Sequence, residues 1–259
     1  MAKYELYYSA ETDAGLRGNN EDSICALALD DLFVFAVADG MGGMDAGEVA
    51  SEIAINAIVD CVKESIESIV KGRKTLKEII RYSFLVAQTN IADDIVENPA
   101  RSSMGTTLTM VLIYKGRYAI GNIGDSRIYL RRRGKLKLLT MDHSYVFEEQ
   151  KKKGKNLSES MIKNYGHLVT KAVDGKNITP DLFPKRRKSY KLKNRDGLLL
   201  CSDGLITADV FNDSTKIQAA INTCNYIDDV SRTLIKSAME NGSNDNISVI
   251  YLSQKSKVK

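Results

Sequence analysis

Residues 32–43 have the sequence LFVFAVADGMGG, an apolar run that leads into a glycine-rich segment. Its first seven residues are all apolar, which is typical of a strand that is buried on both faces. The glycines around Asp39 should end that strand and allow a sharp turn. The stretch therefore predicts a central strand that carries one carboxylate, Asp39, at its end.

Helices and further strands are predicted on either side of this stretch. Apolar residues recur every three or four positions over residues 46–70 and 75–97, which predicts two long helices closed by Gly72 and Pro99. The four apolar segments between residues 106 and 140 are joined by short turns and are expected to form an antiparallel meander. The remaining expected elements are strands at 4–11, 23–29, 197–201 and 247–252, and helices at 214–222 and 227–241.

The order of these elements predicts an α+β protein. Strands and helices do not alternate regularly, which argues against a parallel sheet. Two sheets packed face to face, with helices outside both, would bury all of the elements. Residues 142–188 are polar and irregular, with helix-like pieces at 144–153 and 158–163, and are expected to form an insert over the rigid core.

The composition is that of a globular domain. The 259 residues are 43% hydrophobic, and we expect a single domain over residues 1–259. The net charge of +4 is too small to indicate nucleic-acid binding. No signal sequence or membrane helix is expected, and the four widely spaced cysteines favour a reducing, cytoplasmic compartment.

Three short basic runs stand out in the sequence: Arg131-Arg132-Arg133, residues 151–153 and residues 185–188. Such runs are usually solvated surface. The alternative is that they attract an acidic or phosphorylated partner.

Acidic residues recur where an apolar strand meets a turn. They are Glu21, Asp22, Asp39, Asp125, Asp203 and Asp245. One aspartate beside a glycine is commonly a turn former, but the repeated placement suggests that these side chains converge. Converging carboxylates repel one another unless cations lie between them, and oxygen ligands favour Mg²⁺ or Mn²⁺.

Six segments, in order along the chain, resemble the signature blocks of the type-2C metal-dependent serine/threonine protein phosphatases, and in particular their compact bacterial members. The segments are RGNNED (17–22), VADGMGG (37–43), SMGTT (103–107), GNIGDSR (121–127), LCSDGL (200–205) and NDNIS (244–248). The resemblance implies a four-layer α-β-β-α sandwich, with two antiparallel sheets flanked by helix pairs and residues 142–188 as a flap. It also implies a catalytic domain that acts on phosphorylated proteins and opposes a serine/threonine kinase. Nothing in the sequence demands assembly, so a monomer is expected.

The same resemblance implies a metal centre with two Mg²⁺ or Mn²⁺ ions. Asp39 would bridge the two ions, and Gly40 would contribute its backbone carbonyl. Asp203 and Asp245 would bind the ion on the other side. A hydroxide shared by the ions would then attack the phosphorus atom of phosphoserine or phosphothreonine.

Other matched positions would support this centre. Glu21 and Asp22 would bind a metal directly or through water, and Asp125 would belong to a third, weaker ion. Arg17 would hold the substrate phosphate with its two-pronged guanidinium group.

The sequence departs from the family pattern at several positions. Met41 stands where animal members carry a histidine proposed as general acid, so a metal-bound water is expected to protonate the leaving oxygen. Thr207 replaces a further aspartate found in some members, which weakens the case for a third ion. His167 and Lys171 replace residues that are more often Asn and Arg, so substrate preference is expected to differ.

Two other functions remain open from the sequence alone. One is a catalytically weak module that keeps the phosphatase fold and binds or senses a partner. The other is a hydrolase of small phosphate esters.

Overall fold

Two antiparallel sheets face each other in the computed structural model, which describes residues 5–42, 46–154, 158, 161, 164–166, 168–206, 214–255 and 257–258. The strands are β1 (Tyr7–Asp13), β2 (Asp22–Leu29), β3 (Leu32–Met41), β4 (Gly105–Thr106), β5 (Leu108–Tyr114), β6 (Arg117–Ile123), β7 (Arg127–Arg132), β8 (Lys135–Leu138), β9 (Asp181–Phe183), β10 (Tyr190–Lys191), β11 (Gly197–Cys201) and β12 (Ile247–Ser253). One sheet has the order β1-β12-β11-β7-β8. The other has the order β10-β6-β5-β3-β2, with β4 beside β3 and β9 beside β6.

The helices are α1 (Ala46–Val70), α2 (Leu76–Glu97), α3 (Tyr145–Lys153), α4 (Ser214–Thr223) and α5 (Val230–Glu240). Thr75 starts α2 with a capping box, in which its hydroxyl accepts from the Glu78 N–H and the Glu78 carboxylate accepts from the Thr75 N–H. This arrangement satisfies two of the donors that a helix start leaves unpaired.

Three apolar layers hold the sandwich together. Helices α1 and α2 pack on the outer face of the sheet that contains β3, and α4 and α5 pack on the outer face of the sheet that contains β12. The third layer lies between the two sheets. The resulting α-β-β-α order confirms the architecture predicted from the sequence.

The central strand β3 packs against an apolar layer on each face, which explains its uninterrupted apolar sequence. Val34, Ala36 and Ala38 point toward α1 and α2, whereas Phe33 and Phe35 point into the layer between the sheets. Both faces of the strand are therefore buried, as is expected where alternate side chains enter two different cores.

The structure corrects two predictions about strands. First, β3 does not end before Asp39 but continues to Met41, where Gly40 and Met41 pair with β4. Second, the expected meander is split between the sheets. Strands β5 and β6 pair in one sheet and β7 and β8 pair in the other, because the turn at Gly124-Asp125-Ser126 carries the chain across the sandwich.

The described part of the region predicted as a flap contains more regular structure than expected. It begins with α3 at the predicted position, but its later part contributes β9, which pairs with β6. The last predicted helix begins as a 3-10 turn over Ile227–Asp229 before α5. The helix-like piece predicted at 158–163, together with His167 and Thr207, falls largely or wholly outside the described residues.

Candidate metal centre

Five of the described aspartates lie at one end of the sandwich, where strands of both sheets begin or finish. Asp22 and Asp39 are directly opposite each other in the register of β2 and β3. Asp125 lies between β6 and β7, Asp203 follows β11, and Asp245 precedes β12. Because neighbouring strands are antiparallel, all of these positions fall at the same end. The structure thus brings together the acids that the sequence singled out.

The carboxylates of this acidic cluster are close enough to influence one another. Burial raises the pKa of Asp39 well above its ordinary value, and the charges of Asp22, Asp203, Asp125 and Asp245 raise it further. Burial also raises the pKa of Asp22 to about 7, and the charges of Asp203 and Asp245 add to that rise.

The two remaining strongly shifted acids follow the same pattern. Burial raises the pKa of Asp203 to about 6, and the charge of Asp245 contributes, although a hydrogen bond with Asp39 acts in the opposite direction. Burial raises the pKa of Asp125 to about 8, with further contributions from Asp203 and Asp142. The cluster thus concentrates negative charge that a bound cation would offset.

The donor atoms fit a hard divalent cation. Asp22 Oδ1 is buried and has no hydrogen-bond partner among the described residues, so one carboxylate oxygen remains available for a ligand. Within that part of the chain, no group of three or more His, Cys, Asp or Glu side chains is gathered tightly enough to hold an ion as it stands. A bound cation would remove the mutual repulsion of these carboxylates and let their oxygens turn toward it.

Arg17, the predicted phosphate ligand, lies at the rim of the cluster. Its Nη2 donates to Asp245 Oδ2 at 3.0 Å and its Nε donates to the Asn244 carbonyl at 3.1 Å. The Arg17 side chain is 52% exposed, so it faces the solvent side of the acids. It is the charged group that an arriving phosphate would meet at this rim.

Gly40 allows the strand to approach helix α1. A Cβ atom on Gly40 would lie 2.1 Å from the Gly47 carbonyl oxygen, so only glycine fits this position. The Gly40 N–H donates to the Glu21 carbonyl at 3.1 Å. The Glu21 carboxylate lies against Gly47 in the first turn of α1. These contacts place Glu21 beside the end of β3, next to the other acids.

Asn246 is a site residue to which sequence reasoning assigned no role. Its Nδ2 donates to the carbonyls of Ala14 and Asn19, at 3.0 and 2.8 Å, and its Oδ1 accepts from the Glu21 N–H at 2.9 Å. One side chain therefore joins the loop before β12 to the loop that carries Glu21 and Asp22. The available signal was its position inside the NDNIS segment.

Ser202 plays a similar part for Asp22. Its hydroxyl donates to Asp22 Oδ2 at 2.8 Å and accepts from the Ser248 N–H at 2.9 Å. The contact crosses from one sheet to the other and fixes one oxygen of Asp22.

A buried ion pair supports the Asp125 loop from behind. Arg127 binds Asp142 through Nε and Nη2, the shortest contact being 2.6 Å. The adjacent His143 accepts the Gly124 N–H at Nδ1 at 3.1 Å. Burial lowers the pKa of His143, and the charge of Lys171 lowers it further, which favours the neutral imidazole that this hydrogen bond requires.

Comparison with known proteins identifies the family. The model of the protein phosphatase 2C family matches residues 17–241 of the chain. The chain belongs to the protein phosphatase 2C family. Residues 17–241 contain all of the acids described above except Asp245, which lies four residues beyond the matched range.

Similar phosphatases of this family occur in several bacteria. Serine/threonine protein phosphatase PstP of Mycobacterium tuberculosis is 32% identical over 246 residues, which cover 95% of this chain but 44% of PstP. Serine/threonine phosphatase stp of Listeria monocytogenes is 30% identical over 257 residues and 95% of both chains. The chain therefore spans less than half of PstP and nearly all of the Listeria protein.

A solved structure is similar to the whole chain. It is the catalytic domain of PstP in complex with two manganese ions, which matches with a TM-score of 0.79 and 32% identity over 98% of this chain and 99% of that domain. This protein phosphatase 2C chain thus has the family fold, and the likeness holds along its whole length.

Proposed function

We propose that this protein phosphatase 2C family member hydrolyses phosphoserine and phosphothreonine in proteins, using two divalent ions, Mg²⁺ or Mn²⁺. The observation that carries the proposal is the cluster of acids at the shared end of the two sheets, with Asp22 facing Asp39. The names of the similar bacterial phosphatases and the two manganese ions of the PstP structure support it.

We assign the two proposed ions to the carboxylates of Asp39, Asp203 and Asp245 and to the Gly40 carbonyl, the positions that the family resemblance implied. When bound, the ions would supply the Lewis acidity that activates water and offsets charge on the phosphoryl oxygens. We assign supporting positions to Glu21 and Asp22, and a third, weaker ion to Asp125.

The side chains of this protein have their own tasks in the proposed reaction. Arg17 would bind two phosphoryl oxygens at once, exchanging its contact with Asp245 for that interaction. Met41 has no titratable group, so the proton for the leaving oxygen must come from another source. Residues 1–259 act in this proposal as one catalytic domain, with residues 142–188 over its substrate side.

The proposed partners are phosphorylated proteins, including a serine/threonine kinase and its substrates. We propose that the protein acts as a monomer in the cytoplasm. None of the described helices is both long and apolar enough to cross a membrane.

A metal-titrated assay tests the proposal directly. Hydrolysis of a phosphothreonine peptide should require added Mn²⁺ or Mg²⁺, and Asp39→Ala or Asp203→Asn should lower the rate at least about 100-fold, because even residues that only support metal ligands contribute 10–100-fold. Asp60→Asn, at an exposed position on α1, is the matched control and should leave the rate unchanged.

The outcomes separate the open alternatives. Metal-independent activity, or full activity in Asp39→Ala, would contradict the proposed centre. A folded protein that binds Mn²⁺ but hydrolyses nothing would favour a binding or sensing module. Faster turnover of small aryl phosphates than of any phosphopeptide would favour a small-ester hydrolase.

A further inference from the structure

The basic run Arg131-Arg132-Arg133 divides between two faces at the end of β7. Arg132 turns to Asp196 and forms a two-pronged ion pair, with contacts of 2.9 and 2.6 Å. Arg131 and Arg133 turn the other way and line a cavity of about 270 Å³. The run is therefore not a uniform solvated surface, since two of its three members line one cavity.

Among the described residues, five cationic side chains line this cavity, which we call the basic pocket: Arg131, Arg133, Arg195, Lys255 and Lys257. None of the described lining residues is acidic. None of the five forms an ion pair within the part of the chain that the structure describes. Like charges gathered around one cavity repel, and an anion between them removes that cost.

Arg131 is held in place by neutral atoms. Its Nη1 donates to the Val258 carbonyl at 3.1 Å, and its Nη2 donates to Asn222 Oδ1 at 2.9 Å. Its Nε is buried and has no hydrogen-bond partner among the described residues. The Arg131 charge therefore has neutral partners only, and an oxyanion in the pocket would supply the opposite charge that it lacks.

The walls of the pocket are built by backbone contacts. Lys257 pairs with Tyr226 in an isolated β-bridge, and the Val258 N–H donates to the Asn225 carbonyl at 3.1 Å. These contacts fix the last described residues against the segment between α4 and α5. Ile227, Tyr251 and Val258 supply apolar surface beside the cations, as in small-molecule sites that combine an apolar lining with a few charged groups.

The basic pocket is separate from the acidic cluster. Asp245 lies just before β12 starts at Ile247, whereas Ser253, the last residue of β12, lines the pocket. A seven-residue strand spans roughly 20 Å, so the two sites lie at opposite ends of the same sheet. The basic pocket carries positive charge and the acidic cluster carries negative charge. An anion is therefore attracted to the pocket and not to the metal-free acidic cluster.

We propose that the basic pocket binds a small molecule that carries two or more linked phosphate groups. Five cations exceed what one phosphate group needs, and arginine forks bind phosphate oxygens in pairs. The volume lies just below the range of ordinary small-molecule sites, about 300–1,000 Å³, which favours a compact phosphorylated ligand over a peptide.

Titration of the ¹⁵N-labelled full chain with inorganic pyrophosphate tests this proposal. EDTA should be present, so that no divalent ion at the acidic cluster can attract the probe. Amide signals of Gly134, Arg195 and Lys257 should shift with saturation, whereas those of Gly40 and Gly124 should not. Inorganic phosphate should bind more weakly than pyrophosphate.

Two exposed cations can be removed without touching the core. The double variant Arg133→Gln, Lys257→Gln should weaken pyrophosphate binding at least about tenfold, because hydrogen bonds to charged groups contribute strongly to binding. The matched control is Lys63→Gln, Arg81→Gln, which removes two exposed charges from α1 and α2 and should leave the affinity unchanged.

Three results would overturn the proposal. These are no saturable binding by the folded wild-type protein, shifts confined to the acidic end, and equal weakening by the two double variants. Binding of a phosphorylated peptide at these amides, with none by pyrophosphate, would show that the pocket is a peptide site and would equally reject a small-molecule ligand.

Discussion

At the residue scale, the single side chain of Asn246 pairs with three backbone groups of distant loops. We expect Asn246→Ala to lower the free energy of unfolding by about 2–4 kcal/mol, because it leaves two backbone carbonyls and one N–H without their partner. It should also weaken Mn²⁺ binding, since Asn246 fixes the loops that carry Glu21 and Asp245. Urea denaturation and calorimetric titration with Mn²⁺ measure the two effects.

The control for this prediction is Asn90→Ala, at an exposed position on α2, which should change stability by less than about 1 kcal/mol. Unchanged Mn²⁺ affinity in a destabilised Asn246→Ala protein would show that Asn246 supports the fold without supporting the metal centre.

The sequence indicated the acidic residues more clearly than the polar residues that support them. Asp39 and Asp203 each follow an apolar run and precede a glycine, so a local pattern marks them. Asn246 and Ser202 have no such pattern, because the carbonyls and the carboxylate to which they donate lie 180 to 232 residues away. Polar side chains in loops form such contacts only when folding brings distant segments together.

At the element scale, helix α3 presents the basic run of the flap. Ser144 caps the helix, and Thr170 donates to Glu148 at 2.8 Å, which ties α3 to the following segment. Lys151 and Lys152 are exposed on its last turn. Both lysines therefore face solvent from a helix whose position is fixed by these two contacts.

We predict that Lys151→Glu with Lys152→Glu lowers the rate on an acidic phosphoprotein several-fold and changes the rate on a small aryl phosphate little. Reversed charges would repel the protein substrate over distances of about 10 Å, whereas a small ester makes no such extended approach. Comparing kcat/KM for the two substrates at low and moderate salt measures the effect.

Lys63→Glu with Lys216→Glu provides the same change of net charge at exposed positions on α1 and α4. Should both double variants slow the two substrates equally, local steering by α3 would be rejected.

Turn chemistry explains which elements could be predicted. Lys115-Gly116 and Arg133-Gly134 have positive φ at both residues, as tight two-residue hairpins require, and both hairpins were expected. The turn at Gly124-Asp125-Ser126 is only one residue longer, yet it joins strands of different sheets. Strand β7 belongs to the other sheet because it packs against β11. No local pattern in the sequence indicates that long-range pairing.

At the scale of the whole molecule, the acidic cluster makes stability depend on pH and metal. Asp22, Asp125 and Asp203 have an ordinary pKa of 3.8, and their folded values are about 7, 8 and 6. Between about pH 4 and 8 the folded metal-free chain therefore keeps protons that the unfolded chain has lost. Stability must then fall as pH rises through this window.

We predict that the metal-free protein loses at least roughly 2 kcal/mol of stability between pH 5 and 8, and that saturating Mn²⁺ restores more stability at pH 8 than at pH 5. Denaturant unfolding with EDTA or Mn²⁺ at both values measures this. Asp39→Asn should reduce the pH dependence, because it removes one charge from the cluster. A metal-free protein that is more stable at pH 8 would contradict the prediction.

The pairing of Asp22 with Asp39 also affects the hairpin that carries them. Strands β2 and β3 are joined by a tight turn at Asp30-Asp31, while two acids whose ionised forms repel face each other at the open end. One end is closed by the chain itself, whereas ionisation of both acids in the metal-free protein weakens the other, so the hairpin should open from its functional end as pH rises. A cation that removes this repulsion would therefore stabilise the strand tips that carry its proposed ligands.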